Sequence, residues 1–356
     1  MSNIRVDRIH FHTFDSLRFL SFLFVFLHHS PIPKDSVLHY FSREGGIGVS
    51  FFFVLSGFLI TYILLLEKIN NQGKVPLKKF FRRRILRIWP LYYAMVLFAF
   101  CTPFVLHILK LPYSNEGYEP NWFFTLTFLE NYVMMYTKMF PNVSPLLVIW
   151  SLCIEEHFYI IWGLAFYFIS LKNIPKLIIT CLVIAFVSRI IYGIYDISTL
   201  DIFTNIDYFA FGAIPAYIFV FHKGIIEKLN KIPAIYKYIY AVLVLVVILI
   251  AGNTSVFSSF RMSYILFGVL FSLLILFTLG DKNVFKISDK SILAKLGKYT
   301  YGLYFIHLIC IMLVTKISQK YEFGGLLITL LSFIMTVILS FLSYHLFEKQ
   351  FLKLKK

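Results

Sequence analysis

The first apolar segment of the chain contains an arginine and a histidine whose spacing suits chemistry within one helix. Arg18 and His29 lie eleven residues apart, a rise of about 16 Å on nearly the same helical face. An imidazole can act as a general base or a nucleophile, and a guanidinium can bind an anion. The alternative is that Arg18 extends to one headgroup layer while the histidine marks the other interface. Because the two occur together, we interpret them as functional.

A second group of ionisable residues interrupts the apolar sequence Trp150–Tyr159. Glu155, Glu156 and His157 are consecutive there. A carboxylate near a histidine can fix its tautomer and raise its basicity, as general-base catalysis requires. A structural alternative is a polar cluster that locks helices together. We favour a catalytic role because ionisable groups in apolar segments are costly and usually functional.

Four arginines lie within the basic sequence Lys78–Pro90, at Arg82, Arg83, Arg84 and Arg87. Clustered arginines bind phosphate groups through paired N–H donors. A basic cluster beside a membrane segment also commonly contacts anionic lipids. Taken alone, this cluster favours lipid contact over a phosphate site.

These side chains must be positioned by membrane helices. Hydrophobic residues make up 59% of the 356 residues, charged residues only 15%, and the mean hydropathy is +0.78. A soluble domain carries about a quarter charged residues, whereas apolar runs of about 20 residues suffice to cross a bilayer. We predict an all-α integral membrane protein, a bundle of about ten transmembrane helices forming a single domain over residues 1–356. The predicted spans are residues 14–30, 47–66, 88–109, 147–171, 177–195, 206–221, 238–251, 262–279, 299–315 and 325–346.

The distribution of basic residues favours one topology. Segment 122–137 is apolar but short and contains Glu130 and Asn131, which leaves an eleventh span or a re-entrant hairpin open. With both termini cytoplasmic and this segment re-entrant, 25 of the 34 Lys and Arg residues lie on the cytoplasmic side, as the positive-inside rule requires. This topology explains the net charge of +16 without a nucleic-acid partner. We predict a multi-pass protein of the cytoplasmic (inner) membrane, embedded in the lipid bilayer.

Other sequence features are less informative. The four cysteines are irregularly spaced in apolar segments, which predicts neither disulfides nor a metal site. The first apolar run ends without a small-residue cleavage site, so we expect it to be retained. Small residues in the segment Gly45–Ile60 predict close helix packing. Single polar residues such as Arg189 and Asp207 are interpreted as packing or interface anchors.

Together these segments resemble the acyltransferase family 3 membrane proteins, the group that contains bacterial polysaccharide O-acetyltransferases. Arg18 to His29 matches the family's R-x10-H motif, and the spacing selects His29 rather than His28. The resemblance covers nearly the whole chain. It continues, in order, through GVSFFFVLSGFLI, FFRRRILRIWPLYY, WSLCIEEHFY, YTYGLYFIH and YHLFEK.

Two positions depart from the family pattern. His157 stands where the family usually has glutamine, and Gly163 follows Trp162 where proline is common. The first departure bears on how the surroundings of Glu155 are hydrogen-bonded. We expect a stand-alone membrane acyltransferase, without the C-terminal esterase-like domain that some members carry.

The resemblance implies transfer of an acyl group, usually acetyl, from cytoplasmic acyl-CoA (acetyl-CoA) to a hydroxyl of an extracytoplasmic or lipid-linked glycan, with no metal. Arg82, Arg83 and Arg87, with Arg18 at the mouth, are then expected to hold the phosphates of coenzyme A.

Within the same resemblance, His29 is expected to be oriented by Glu155. It would either deprotonate the acceptor hydroxyl or carry the acyl group as an acyl-imidazole. The spans put His29 near the outer end and the arginines at the inner end, so the pantetheine arm must enter the bundle or the spans must tilt. Alternatives are a sugar-lipid flippase or exporter and a non-catalytic subunit of a polysaccharide assembly complex. The acceptor, the donor acyl length and the oligomeric state stay open.

Overall fold

The computed structural model describes residues 9–108, 110, 116–254, 263–280 and 283–355, and these residues form an α-helical bundle. Within these ranges the β pairing is an isolated bridge between Tyr118 and Pro141. The helices are α1 (His12–His29), α2 (His39–Ser42), α3 (Gly45–Asn70), α4 (Leu77–Ile108), α5 (Trp122–Leu126), α6 (Glu130–Thr137), α7 (Ile149–Phe168), α8 (Ile174–Ile194), α9 (Ile202–Phe221), α10 (Lys223–Lys231), α11 (Ala234–Asn253), α12 (Ser263–Thr278), α13 (Ile292–Gly297), α14 (Thr300–Tyr321), α15 (Gly325–Ser343) and α16 (Lys349–Lys353). One turn of π-helix, Tyr344–Glu348, joins the last two.

Ten of these helices coincide with the predicted spans: α1, α3, α4, α7, α8, α9, α11, α12, α14 and α15. In the described part of the chain, seven helical segments are both long and apolar enough to cross a membrane, so the all-α, multi-pass membrane class is confirmed. α12 is apolar but has only 16 residues, and α1 and α7 carry the ionisable residues. A count of ten spans stays a prediction. Some predictions fall on residues outside the described ranges. They are five residues of the charge count, Arg5, Arg8, Arg261, Lys282 and Lys356, and the predicted span ends at 109 and 262.

Residues 122–137 form two short helices rather than one long one. α5 and α6 are separated at Phe128, whose φ of 60° is left-handed. The buried carboxylate of Glu130 accepts hydrogen bonds from the Tyr118 hydroxyl at 2.6 Å and from Thr125 Oγ1 at 2.5 Å. Helices of 5 and 8 residues are shorter than the roughly 20 residues that cross a hydrocarbon core. An eleventh span therefore has no helix of sufficient length, and the re-entrant placement stays a prediction.

α3 and α9 cross at a pair of glycines. A Cβ added at Gly57 would lie 2.2 Å from the backbone oxygen of Phe209, and a Cβ at Gly212 would lie 2.0 Å from that of Val54. Only hydrogen at these two positions allows the backbones to approach so closely. The packing expected for the glycines of the second span is therefore present, with its partner glycine on α9.

The ring of Phe209 on α9 connects three helices at this crossing. It stacks between Phe53 of α3, at a centroid distance of 4.8 Å, and Phe158 of α7, at 4.0 Å. All three side chains are buried. Offset aromatic stacking adds to the energy of area burial, so this stack fixes α7 against α3. The two helices carry Glu155 and Ser56, which meet in the candidate site.

The isolated polar residues Arg189 and Asp207 pair with each other. Two hydrogen bonds join the guanidinium of Arg189 on α8 to the carboxylate of Asp207 on α9, at 2.5 and 2.6 Å. The guanidinium also lies 4.1 Å from the ring centroid of Tyr264 on α12. This bidentate pair satisfies both charges inside the bundle, which explains two ionisable residues by packing alone.

The two ends of the bundle differ in charge. We call the end that contains Arg84, Arg87, Lys298 and Lys355 the basic end, since these groups surround one cavity or interact electrostatically. α1 starts at this end. We call the opposite end, where α1 finishes at His29, the far end.

Replacing Gly212 by alanine should destabilise the fold without touching any ionisable residue. The added methyl group meets the backbone of α3, which cannot rotate away, and overpacking of this kind costs about 1–3 kcal/mol. The expected result is a lower midpoint of thermal unfolding in detergent, followed by tryptophan fluorescence. Gly224→Ala is the control, because a Cβ there meets nothing within 4 Å. Equal midpoints for the two variants would contradict the proposed crossing.

Candidate active site

A cavity of about 110 Å³ lies inside the basic end of the bundle. We call it the basic cavity and define it by five of its lining residues: Arg18, Arg84, Arg87, Glu155 and Lys298. Arg87 and Lys298 are exposed, whereas Arg18, Arg84 and Glu155 are only half-buried, so the cavity opens at the basic end. Four cationic groups face one carboxylate, an arrangement that attracts anions.

Arg18 is placed in the basic cavity by the first turns of α1. Its Nη1 donates a hydrogen bond to Asp15 Oδ1 at 3.0 Å, one helical turn earlier. Gly297, at the end of α13, packs against this turn so tightly that a Cβ there would lie 1.9 Å from the Asp15 backbone oxygen. Arg18 therefore shares this cavity with Arg87, one of the three arginines beside which it was expected.

Of the three arginines predicted to hold a phosphate, only Arg87 lines the cavity. Arg82 is exposed, and its Nη2 donates to the backbone oxygen of Leu354 at 3.0 Å. Arg83 Nη1 lies 3.4 Å from Glu67 Oε1 at the end of α3. Arg84, which was not among the predicted residues, lines the cavity instead.

The C-terminal segment adds another positive charge to this end. Leu354 accepts the hydrogen bond from Arg82, which brings the partly buried Lys355 beside the arginines. Burial, and then repulsion from Arg87, Arg84 and Arg83, lower the pKa of Lys355 to about 7. Burial is the larger cause, and the repulsion shows that Lys355 lies close to the three arginines of the basic end.

Glu155 lies at the wall of the basic cavity between α3 and α7. Its Oε1 accepts a hydrogen bond from Ser56 Oγ at 2.8 Å, and its Oε2 accepts one from the Tyr159 hydroxyl at 3.2 Å. The second bond joins residues one turn apart on α7, and the first joins two helices that Phe209 holds together. Glu155 is thus oriented for contact with a molecule in the cavity.

Glu156 and His157 point away from Glu155 on α7. Glu156 is buried and accepts a hydrogen bond from Trp89 Nε1 at 3.3 Å. The ring of His157 stacks on Tyr132 of α6 at a centroid distance of 5.7 Å. The histidine that replaces the usual glutamine therefore contacts the segment 122–137, and neither residue lines the basic cavity.

His29 lies at the far end, beyond the basic cavity. Its Nδ1 is 2.8 Å from the backbone oxygen of Val25 and 3.3 Å from Nε2 of His307 on α14. Glu155 has its hydrogen bonds with Ser56 and Tyr159, so the structure does not bring Glu155 and His29 into hydrogen-bond contact. The neighbour of His29 in the bundle is a second histidine.

Tyr304 separates the basic cavity from the two histidines. Its side chain lines the cavity, its hydroxyl is 2.7 Å from Ser151 Oγ, and its ring centroid is 5.9 Å from that of His307. Phe52 lines the cavity too and packs edge-on against Tyr304 at 6.1 Å. We call Tyr304 and Phe52 the aromatic layer. Tyr304 connects the basic cavity to His307, and His307 in turn contacts His29.

Sequence reasoning did not select Arg84, Lys298, Tyr304 or His307. A signal for Arg84 was available, because it lies four residues after Phe80 and four before Ile88, two apolar residues that the structure buries. Lys298 is brought in by α13, and no local pattern marks it. Tyr304 and His307 belong to the sequence YTYGLYFIH, whose polar residues were interpreted as packing.

A multi-pass helical bundle with an ionisable cavity at one end and a histidine pair beyond it defines a membrane protein with an internal reaction or transport site. Residues 11–345 match the family model described as an acyltransferase domain. This match covers nearly the whole chain, and the chain belongs to acyltransferase family 3. The family membership inferred from the motifs is confirmed.

The chain is also similar to named bacterial proteins. It is 29% identical over 343 aligned residues to the peptidoglycan O-acetyltransferase OatA of Listeria monocytogenes, covering 88% of this chain and 51% of that protein. It is 37% identical over 156 residues to the putative peptidoglycan O-acetyltransferase YrhL of Bacillus subtilis, covering 42% and 22%. For the O-acetyltransferase OatA of Staphylococcus aureus the values are 32% over 144 residues, covering 39% and 23%. The chain thus spans about half the length of the Listeria relative, and no solved structure matches it.

The charge of the basic cavity predicts selective labelling of a cysteine placed inside it. In a Ser56→Cys variant, an anionic methanethiosulfonate reagent should react about tenfold faster than a cationic reagent of similar size. The reason is that Arg18, Arg84, Arg87 and Lys298 concentrate anions in the cavity. Labelling rates can be followed by intact-protein mass spectrometry.

Two controls accompany this measurement. The exposed Cys101 is first replaced by serine, and the buried Cys153, Cys181 and Cys310 should stay unmodified until the protein unfolds. Raising the salt to about 1 M should remove most of the difference between the reagents, because the Debye length falls to about 3 Å. Equal rates at low salt would show that the cavity does not attract anions.

Proposed function

We propose that this chain is a membrane O-acyltransferase that moves an acyl group, most simply acetyl, from acyl-CoA to a hydroxyl of a cell-envelope glycan. The observation that carries the proposal is the basic cavity, in which Arg18, Arg84, Arg87 and Lys298 face Glu155. A diphosphate and a 3′-phosphate need several convergent cationic donors, and guanidinium groups supply them in pairs. Arg82 and Arg83 stand beside these groups and raise the positive potential at the mouth.

In this proposal the pantetheine arm of the donor occupies the basic cavity and points towards the far end. It passes Glu155, whose carboxylate can accept a hydrogen bond from an amide N–H of the arm. Rotation of the Tyr304 side chain away from Ser151 joins the cavity to the surroundings of His29. Of the two expected arrangements, the proposal therefore takes the one in which the pantetheine arm enters the bundle, and it requires no unusual tilt of the spans.

His29 carries the chemical step of the proposal. As a general base it takes the proton of the acceptor hydroxyl while the hydroxyl oxygen attacks the thioester carbon. As a nucleophile it first forms an acyl-imidazole, which the acceptor then cleaves. Both routes require one unprotonated ring nitrogen of His29, which faces the acceptor hydroxyl in the first route and the acyl carbon in the second. The half-buried position of His29 at the end of α1 leaves one side of the ring accessible to an acceptor.

The relatives support a glycan acceptor and an acetyl donor group. The Listeria protein is named a peptidoglycan O-acetyltransferase, and the Bacillus protein a putative one. We therefore propose peptidoglycan as the first acceptor to test for this chain. With both termini cytoplasmic, as the charge bias favours, the basic end faces the cytoplasmic acyl-CoA and His29 faces the glycan.

The flippase alternative predicts a continuous polar route through the bundle. In the described part of the chain the basic cavity is bounded by Phe52 and Tyr304 on the side towards His29. A sugar headgroup with many hydroxyl groups would have to cross this aromatic layer, whereas an acetyl thioester at the end of an extended arm is smaller and carries a single carbonyl. The layer therefore favours acyl transfer over sugar transport.

Substitution of His29 tests the proposed reaction. Deletion of the gene should remove ester-linked acyl groups from the cell-surface glycan, and wild-type protein should restore them. His29→Ala should restore about 1% or less, since acid–base or nucleophilic catalysis contributes about 10²–10⁴-fold. The measurement is mass spectrometry of isolated glycan, before and after mild alkaline hydrolysis of esters.

The matched control is His345→Ala, at a histidine of the basic end that contacts Tyr299 and lies outside the site. It should restore wild-type esterification at equal membrane abundance. Full restoration by His29→Ala would refute the catalytic role, and an unchanged glycan in the deletion strain would refute the proposed function.

The donor site is tested by the arginines that line the cavity. In reconstituted protein, Arg87→Gln and Arg84→Gln should each raise the KM for acetyl-CoA about tenfold, because each removes a charge-assisted hydrogen bond of about 1.5–3 kcal/mol. The value of kcat should change much less. The exposed Lys79 provides the control, Lys79→Gln, which should leave the KM unchanged. Equal effects of all three variants would point to a general loss of positive charge instead of a defined site.

A further inference from the structure

His307 is a fully buried histidine that does not line the basic cavity, so the proposed donor site gives it no role. His307 on α14 has no exposed surface, and rings surround it: Phe22 at a centroid distance of 5.8 Å, Phe26 at 6.4 Å and Tyr304 at 5.9 Å. An imidazole in such apolar surroundings is costly unless both nitrogens are hydrogen-bonded. The hydrogen-bond partners of its two ring nitrogens therefore indicate the role of His307.

One partner determines the tautomer of His307. Its Nδ1 lies 2.7 Å from the backbone oxygen of Tyr304. A carbonyl oxygen only accepts hydrogen bonds, so this nitrogen carries a proton. In the neutral ring the lone pair is then on Nε2, which lies 3.3 Å from Nδ1 of His29.

The same reasoning determines the tautomer of His29. Its Nδ1 lies 2.8 Å from the backbone oxygen of Val25, one turn earlier on α1, so Nδ1 carries the proton. This single N–H is shared between two acceptors: the Val25 oxygen is the nearer, and the lone pair of His307 Nε2, 3.3 Å from Nδ1, is the second. A neutral His29 therefore has its own lone pair on Nε2, the nitrogen left for the acceptor hydroxyl or the acyl carbon.

We propose that His307 is a positioning residue for His29: its Nε2 accepts the Nδ1–H of His29, holds the ring and stabilises the positive charge that the ring gains during the reaction. This inference rests on the proposed acyl transfer. It assigns to a neutral imidazole the role that a carboxylate has in a Ser-His-Asp triad. Glu155, the carboxylate expected for this role, belongs to the basic cavity instead.

The proposed step balances without any further reactant. The hydroxyl proton of the acceptor moves to His29 Nε2 while the hydroxyl oxygen forms a bond to the acyl carbon. The carbon–sulfur bond of the thioester then breaks, and the leaving thiolate takes the proton back from His29 Nε2. The products are the glycan ester and the free thiol, and His29 returns to its starting tautomer.

His307 serves the acyl-imidazole route equally. If His29 Nε2 attacks the thioester carbon, the resulting acyl-imidazolium again carries its positive charge on a ring whose Nδ1–H faces His307. The geometry of the pair therefore bears on both routes. The 3.3 Å separation is long for a hydrogen bond, and such contacts commonly shorten when substrates bind.

The test uses the full-length protein reconstituted in liposomes, with acetyl-CoA as donor. His307→Leu removes the acceptor nitrogen, and His307→Gln retains an acceptor oxygen. We expect His307→Leu to lower kcat about 100-fold. The KM for acetyl-CoA and the KM for the glycan acceptor should stay within about twofold, because losing the acceptor nitrogen destabilises the charged ring of His29 and not substrate binding. His307→Gln should keep at least a tenfold higher kcat than His307→Leu.

Three further measurements separate this role from structural support. The His345→Leu control should keep the wild-type kcat. Thermal unfolding should show both His307 variants folded at the assay temperature. In addition, ¹⁵N-histidine NMR should show the Nδ1–H tautomer for His29, identified as the signal lost in His29→Gln, with a shifted Nδ1 resonance in His307→Leu.

The outcomes also distinguish failure of this inference from failure of the proposed function. If His29→Ala abolishes transfer while His307→Leu retains wild-type kcat, the positioning role is wrong and the acyl transfer stands. An equal loss in His307→Leu and His307→Gln, with an unchanged His29 resonance, also overturns the role. If wild-type protein transfers no acyl group from acetyl-CoA, the proposed function itself fails.

Discussion

An ionisable side chain inside a hydrocarbon layer has to be paired, solvated or uncharged, and this constraint organises the polar residues of the bundle. Arg189 and Asp207 satisfy it by pairing with each other, and Lys68 satisfies it by donating to the backbone oxygens of Phe166 and Ile169 at the end of α7. Such residues join helices. The cationic groups of the basic cavity differ: Arg18 pairs with Asp15, but the described lining holds four cationic side chains and one carboxylate, Glu155, an excess of positive charge that suits an anionic ligand.

The site depends on helices whose own packing is apolar. The glycine crossing of α3 and α9 and the stack on Phe209 place Ser56 against Glu155, while Gly297 brings α13 against the first turns of α1. α14 then contributes Tyr304 and His307 on successive turns of one face. The donor half and the histidine half share α1, which carries Arg18 and His29, and α14, which carries Tyr304 and His307, so their alignment follows from the packing of these two helices.

The helices were predictable from sequence because apolar runs of bilayer length leave few alternatives. Arg18, Glu155 and His29 could be selected from the sequence as candidate site residues because ionisable groups stand out in apolar segments. Which arginines line the cavity was harder to predict, since the inward face of α4 depends on its rotation, and the spacing of Phe80, Arg84 and Ile88 is the pattern that indicates that face. The partner of His29 depends on how α1 and α14 pack, and the sequence pattern of each helix does not indicate which other helix it contacts.

The aromatic layer of Tyr304 and Phe52 bears on the ion permeability of the membrane. A membrane that maintains an ion gradient tolerates no open aqueous path, yet the basic cavity is open at one end and His29 is accessible at the other. Between them two rings close the passage, and such an apolar constriction resists the passage of ions and water. The same closure would keep a thioester in the cavity away from water on the opposite side. The protein would then join two compartments chemically while leaving them electrically insulated.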